Sequence, residues 1–145
     1  MTRQERIDAT VATGRMMTVT LSGGLFVIAA VAALFPRSDG GSFIMRTSLF
    51  IGLAGLVALV AGWRLFAIQR ERRHDRDVES ACADYQRALL LSLSITEGAA
   101  MLGVTWYYLG GGPLVLSGVM THMLLVGALW PTAEKLEAFV GLRSS

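Results

Sequence analysis

Two ionisable side chains stand inside otherwise apolar sequence. Glu97 interrupts "LLLSLSITEGAAMLGVTWYY", residues 89–108, and His122 lies within "GVMTHMLLVGALW". A charged group at the centre of a hydrocarbon layer is costly, about 2.5–3.5 kcal/mol for the comparable Asp on insertion scales. Two uses would offset that cost. Hydrocarbon disfavours the ionised form, so the Glu97 carboxyl can take up and release a proton, or it can hydrogen-bond a neighbouring helix. Counted at 1.5 Å per residue from the "GGGP" turn between them, Glu97 and His122 differ in depth by only about 5 Å. Gly118, one turn from His122, leaves room beside the imidazole. A Glu97–His122 hydrogen bond or proton relay is therefore an allowed geometry, and His122 as a plain helix–helix bond is the alternative. Two such ligands do not make a metal site. The hydroxyls of Thr96, Thr105 and Thr121 are expected to bond back to carbonyls of their own helices.

The elements that must position these groups follow from where the charges are. Only 17% of the 145 residues are charged, against about a quarter in a soluble domain. Glu97 and the helix-end residues Arg46 and Arg64 apart, all eleven acids and thirteen bases lie outside four apolar runs: Met16–Phe35, Thr47–Ile68, Ala88–Leu109 and Pro113–Trp130. Each run is close to the ~20 residues that a helix needs to cross a bilayer, and too little polar sequence remains to coat a soluble core. The expected fold is all-α: one membrane domain of four transmembrane helices, residues 16–35, 47–68, 88–109 and 113–130. The first run follows too long a polar lead, and is itself too long, for a signal peptide; it reads as a permanent helix. A single cysteine, Cys82, excludes an internal disulfide and offers no CxxC pattern.

Orientation follows from Lys and Arg in short loops. Arg3, Arg6 and Arg15 precede the first run. Arg64, Arg70, Arg72, Arg73, Arg76 and Arg87 mark the connection between the second and third, and Lys135 and Arg143 the tail. The opposite side holds only Arg37 and Arg46. Both termini and the large loop are therefore expected inside, in the cell membrane, taken to be a bacterial inner membrane. The loop, residues 69–87, lacks Gly and Pro and pairs Arg73 with Asp77 at i,i+4. Helices two and three should thus extend beyond the membrane and turn near His74–Glu79. No aromatic platform accompanies its bases, so nucleic acid is not an expected partner. After Pro131, with Thr132 as a cap, Leu136, Phe139 and Val140 share one face and Gly141 stops the helix; residues 132–141 read as a short amphipathic helix on the inner membrane surface. Trp63, Trp106, Tyr107, Tyr108 and Trp130 fall near span ends, where aromatic belts form.

Membrane helices associate by close backbone approach. Gly52, Gly55, Ala58 and Gly62 form a small stripe on the second helix, and Ser92, Thr96, Ala99 and Gly103 one on the third. Together they predict a tight hairpin. On these residues, "ALLLSLSITEGAAMLGV" resembles the second helix of the rotary ATP synthase proteolipid, subunit c: a carboxylate in an apolar run, Glu97, with a glycine six positions later, Gly103. A small-residue helix and a basic cytoplasmic turn precede it, so the resemblance spans Leu49 to Leu109. It implies that Glu97 carries an ion. Gly98 and Ala99 stand where sodium-binding members place hydroxyls, which implies protons rather than sodium. The first and fourth spans have no counterpart in that hairpin.

The expected function is that of a small oligomerising multi-pass membrane protein, proteolipid-like, handling protons through Glu97. A non-catalytic accessory or assembly subunit of a larger membrane complex is the alternative. No nucleophile–base set, phosphate loop or metal cluster appears, so neither an enzyme nor a cofactor is expected. The expected partners are the lipid bilayer and other membrane subunits or copies of the chain itself.

Overall fold

A computed structural model describes residues 2–34, 41–71 and 78–140. It is built of helices: α1 (Arg3–Leu34), α2 (Ser42–Glu71), α3 (Val78–Tyr108), a 3-10 turn (Pro113–Leu116), α4 (Ser117–Leu129) and α5 (Ala133–Val140). Three of them, α1 to α3, are long and apolar enough to cross a membrane; α4 and α5 make a fourth span if the bent pair is counted as one. At about 1.5 Å per residue, each long helix exceeds the ~30 Å of hydrocarbon by half again.

The extra length of α1 corrects the reading of residues 1–15 as a polar lead outside the helix. Thr2 and Glu5 form a capping box: the Thr2 hydroxyl accepts from the Glu5 amide at 3.3 Å, and the Glu5 carboxylate accepts from the Thr2 amide at 2.7 Å. The helix that starts there buries one face. Ile7, Val11, Thr18, Ser22 and Leu25 are buried at helical spacing, and Arg6 pairs with Glu79 at the start of α3. The proposed turn at 74–77, with Arg72, Arg73 and Arg76, lies outside the described residues, as do Arg37, Gly141 and Arg143; Val78 and Glu79 already belong to α3.

The hub is α3. It packs on α1, α2, α4 and α5, and 44% of its most apolar stretch is buried, against 22% for α1 and for α2. It ends in a glycine cap. Gly110, at φ 95°, lets its own amide reach the Tyr107 carbonyl and that of Gly111 reach Trp106. The chain then folds back as a 3-10 turn, not as the start of a continuous helix 113–130. Three bonds to α2 from residues around this turn hold it: Trp106 Nε1, at the end of α3, donates to the Ile44 carbonyl (3.3 Å), the Gly112 amide to Ser48 Oγ (3.3 Å) and Ser117 Oγ to the Gly52 carbonyl (2.6 Å). Residues 44, 48 and 52 share one helical face, so α2 serves as the rail for the returning chain.

This wedge narrows the hairpin: α2 and α3 do pack closely, but the returning chain takes part of the contact. The close approaches of Gly52 and Gly55 are to the returning chain and not to α3: a Cβ at Gly52 would lie 2.9 Å from the Leu114 carbonyl oxygen, and one at Gly55 2.6 Å from the Gly118 amide. Gly103 of α3 lies against the Val115 carbonyl, and a Cβ at Gly118 would sit 2.7 Å from the Ala99 carbonyl oxygen. Only at the end nearer α5 do the two stripes meet, where a Cβ at Gly62 would be 2.9 Å from the Ser92 carbonyl oxygen. Ala58 is buried between these zones. The small residues mark close contact as expected, but the returning chain and the start of α4 enter between α2 and α3 over their halves away from α5.

At its far end α4 stops at Trp130–Pro131 and α5 departs at 83°. Thr132 caps it, its hydroxyl accepting from the Lys135 amide at 3.2 Å. Arg15 Nε donates to the Pro131 carbonyl (3.1 Å) and Lys135 Nζ to the Ala128 carbonyl (2.8 Å), which fixes the bend. The apolar face of α5 does not lie on the membrane surface. Leu136 and Phe139 are buried in a core with Ile7, Cys82, Tyr85 and Leu89, and the Phe139 ring meets those of Tyr85 and Phe66 at 5.0 and 5.2 Å. Meanwhile Phe26, Val27, Phe50, Leu53, Val57 and Val60 stay exposed. A surface this apolar suits lipid and not water.

Candidate functional site

His122 is fully buried, and both ring nitrogens have partners on other helices. Nδ1 is 2.9 Å from Thr96 Oγ1 on α3, and Nε2 is 3.3 Å from Ser22 Oγ on α1. Thr96 Oγ1 also donates to the Leu93 carbonyl at 3.0 Å. With its single hydrogen placed there, Thr96 accepts from Nδ1–H. Nε2 then carries the lone pair, and Ser22 donates to it. A neutral imidazole satisfies every atom of the triad. It ties α1, α3 and α4 together at one depth, and the closeness of Gly118 to Ala99 brings α4 near enough to do so.

This arrangement replaces the direct Glu97–His122 bond. Thr96, one residue before Glu97, occupies the nitrogen that faces α3. The Thr96, Thr105 and Thr121 hydroxyls do bond back to the carbonyls of Leu93, Met101 and Gly118 at 2.9–3.0 Å, and Thr96 bonds the histidine as well.

Glu97 is turned 100° from Thr96 by the helix, which carries it out of the seal. It is half-buried and has no hydrogen-bond or ion-pair partner among the described residues. Its stripe along α3 continues through Met101, Val104 and Tyr108 at helical spacing. Val104 and Tyr108, with Ile28, Val31 and Ala32 of α1, line an apolar concavity of 410 Å³. Glu97 does not itself line this concavity; it lies about two turns before Val104 on the same face of α3. Helices α1 and α3 run parallel: the ion pair joins residues 6 and 79 and the histidine joins 22 and 96, offsets of 73 and 74. Gly23 and Gly24 of α1 are thus level with Glu97. A Cβ added at either of them, or at Gly98, would meet nothing within 4 Å. The flank that carries the carboxyl is poor in side chains and open.

Of the remaining expected residues, Ser92 is fully buried, and its hydroxyl has no partner among the described residues. Ser22 was not foreseen. Its signal was faint but present: with Thr18 it continues the buried stripe of α1 as a polar residue where an aliphatic one would pack as well. Comparison with protein-family models, with curated proteins and with solved structures found no match to this chain.

Proposed function

We propose that this chain is a four-span membrane protein with both termini inside, that it assembles through the flank bearing Glu97, and that the Glu97 carboxyl takes up and releases a proton there. The observation that carries this reading is the contrast in partners: a half-buried acid in the apolar part of a spanning helix, with none among the described residues. Leaving such a group unpaired in hydrocarbon is costly, so a donor from another chain or a proton must satisfy it. The neighbouring glycines leave space for a second helix to approach closely. In the second reading, an accessory or assembly subunit, Glu97 only accepts a hydrogen bond from another chain; it draws on the same lack of a partner among the described residues.

Two substitutions separate the readings. Glu97→Gln keeps shape and hydrogen bonding but cannot titrate; on the proton-handling reading it leaves oligomer size unchanged and abolishes proton flux in reconstituted vesicles. Glu97→Leu removes the polar contact and weakens assembly on either reading. Wild-type flux with Glu97→Gln would leave only the structural subunit.

A further inference from the structure

Several hydroxyls inside the spans bond back to carbonyls of their own helices, Thr18 to Gly14, Thr105 to Met101 and Thr121 to Gly118. Thr20 and Ser94 do not. Both are exposed, and neither makes a hydrogen bond among the described residues.

Their places are related. Helices α1 and α3 run parallel at an offset of 73 to 74 residues. Thr20 and Ser94 differ by that same 74, so the two hydroxyls stand at one depth. Glu97 is one turn further along α3, about 4.5 Å away in rise and on the side of Ser94. The concavity between α1 and α3 shows which side this is. Among its walls are Val31, Thr105 and Tyr108, which stand eleven residues beyond Thr20, Ser94 and Glu97 in turn. Eleven residues make three turns to within about 20°. The faces that α1 and α3 turn to their shared groove are therefore the faces that carry Thr20, Ser94 and Glu97.

One flank thus holds two hydroxyl donors and a carboxyl acceptor at mid-span, none of them partnered among the described residues. In hydrocarbon such groups gain by pairing across helices. The α2 surface at this depth offers nothing similar. That helix runs antiparallel to α3, with Ile44 against Trp106 and Gly62 against Ser92, so the exposed Leu53 and Val57 lie near the level of Glu97. A surface that carries both halves of a hydrogen bond is self-complementary, as a two-fold interface requires. Copies that enter the membrane in the same sense are related by an axis along its normal, and rotation about that axis keeps each residue at its own depth. A two-fold in front of the flank sets α1 of each copy against α3 of the other.

We propose that a second copy of this chain covers the flank, in a parallel two-fold dimer in which Thr20 of each copy donates to Glu97 of the other. The inference rests on the assembly proposed above and names its partner. It does not depend on proton transfer, because a neutral carboxyl accepts from a hydroxyl as a carboxylate does.

The test is disulfide cross-linking in native membranes, with Cys82→Ala as background and two differently tagged chains expressed together. A chain with Thr20→Cys should link to a chain with Ser94→Cys, and neither should link to one with Val57→Cys. Thr20→Val keeps the side-chain shape and breaks no internal bond, so the fold is retained. It removes two bonds per dimer and should weaken self-association in vesicles, read by energy transfer between labelled copies, on the order of tenfold. Glu97→Gln should dimerise as the wild type does, so a failed proton reading leaves this one standing. Absence of the mixed disulfide, equal linking through Val57→Cys, or wild-type association of Thr20→Val would overturn the proposal. So would a link from Thr20→Cys to a different protein alone, an outcome in which assembly through this flank stands with another partner.

Discussion

His122 and Glu97 occupy nearly the same depth on helices that touch, yet their surroundings are opposite. The histidine has a hydroxyl on each nitrogen and no exposed surface; the glutamate, one residue past the threonine that bonds the imidazole, is half-buried and has no partner among the described residues. A 100° turn of α3 makes the difference. One side of that helix is an internal joint, and the adjacent side presents a carboxyl outward. A polar residue within a span thus has two distinct roles, and its neighbours within hydrogen-bond distance tell them apart.

The largest expected effects come from breaking the joint's scaffold. Gly103→Leu places carbon where the Val115 carbonyl stands and should abolish folding. Gly55→Ala, whose Cβ would lie 2.6 Å from the Gly118 amide, should cost about 1–3 kcal/mol. Gly98→Ala, on the open flank, should change stability by less than about 0.5 kcal/mol. Unfolding in mixed detergent measures all three, and equal losses for the two Ala variants would erase the distinction between packed and open sides.

A smaller effect is expected at the joint itself. His122→Leu removes both interhelical bonds but leaves Thr96 bonded to Leu93, so the loss should be about 1–2 kcal/mol. Nitrogen NMR of labelled histidine sharpens this: the proton should reside on Nδ1, and a proton found on Nε2 would show that Thr96 donates where it is described as accepting.

Much of this was legible in the sequence, for identifiable reasons. The apolar runs, the Thr132 cap and the small-residue stripes each act locally, and the structure keeps them as helices, a cap and close contacts. What the sequence concealed was direction. Gly52 and Gly55 announce a close neighbour without naming it, and the returning segment 112–117 takes the place assigned to α3. The buried face at the start of α1 was obscured by its charges, although Thr2 and Glu5 spell a capping box. Leu136 and Phe139 read equally well as a face for lipid and a face for Tyr85. The rotational phase of α3, which separates Thr96 from Glu97, depends on packing at every level of the bundle and is written in no short stretch.

The most direct test of the open carboxyl is reaction with a hydrophobic carbodiimide in native membranes, which modifies a protonated acid reachable from lipid. The modified peptide is then identified by mass. Wild-type chain should be labelled at Glu97, and His122→Gln labelled to the same extent, because the imidazole does not touch the acid; Glu97→Gln should be unlabelled. An unreactive Glu97 in the wild type, or labelling that depends on His122, would contradict the account.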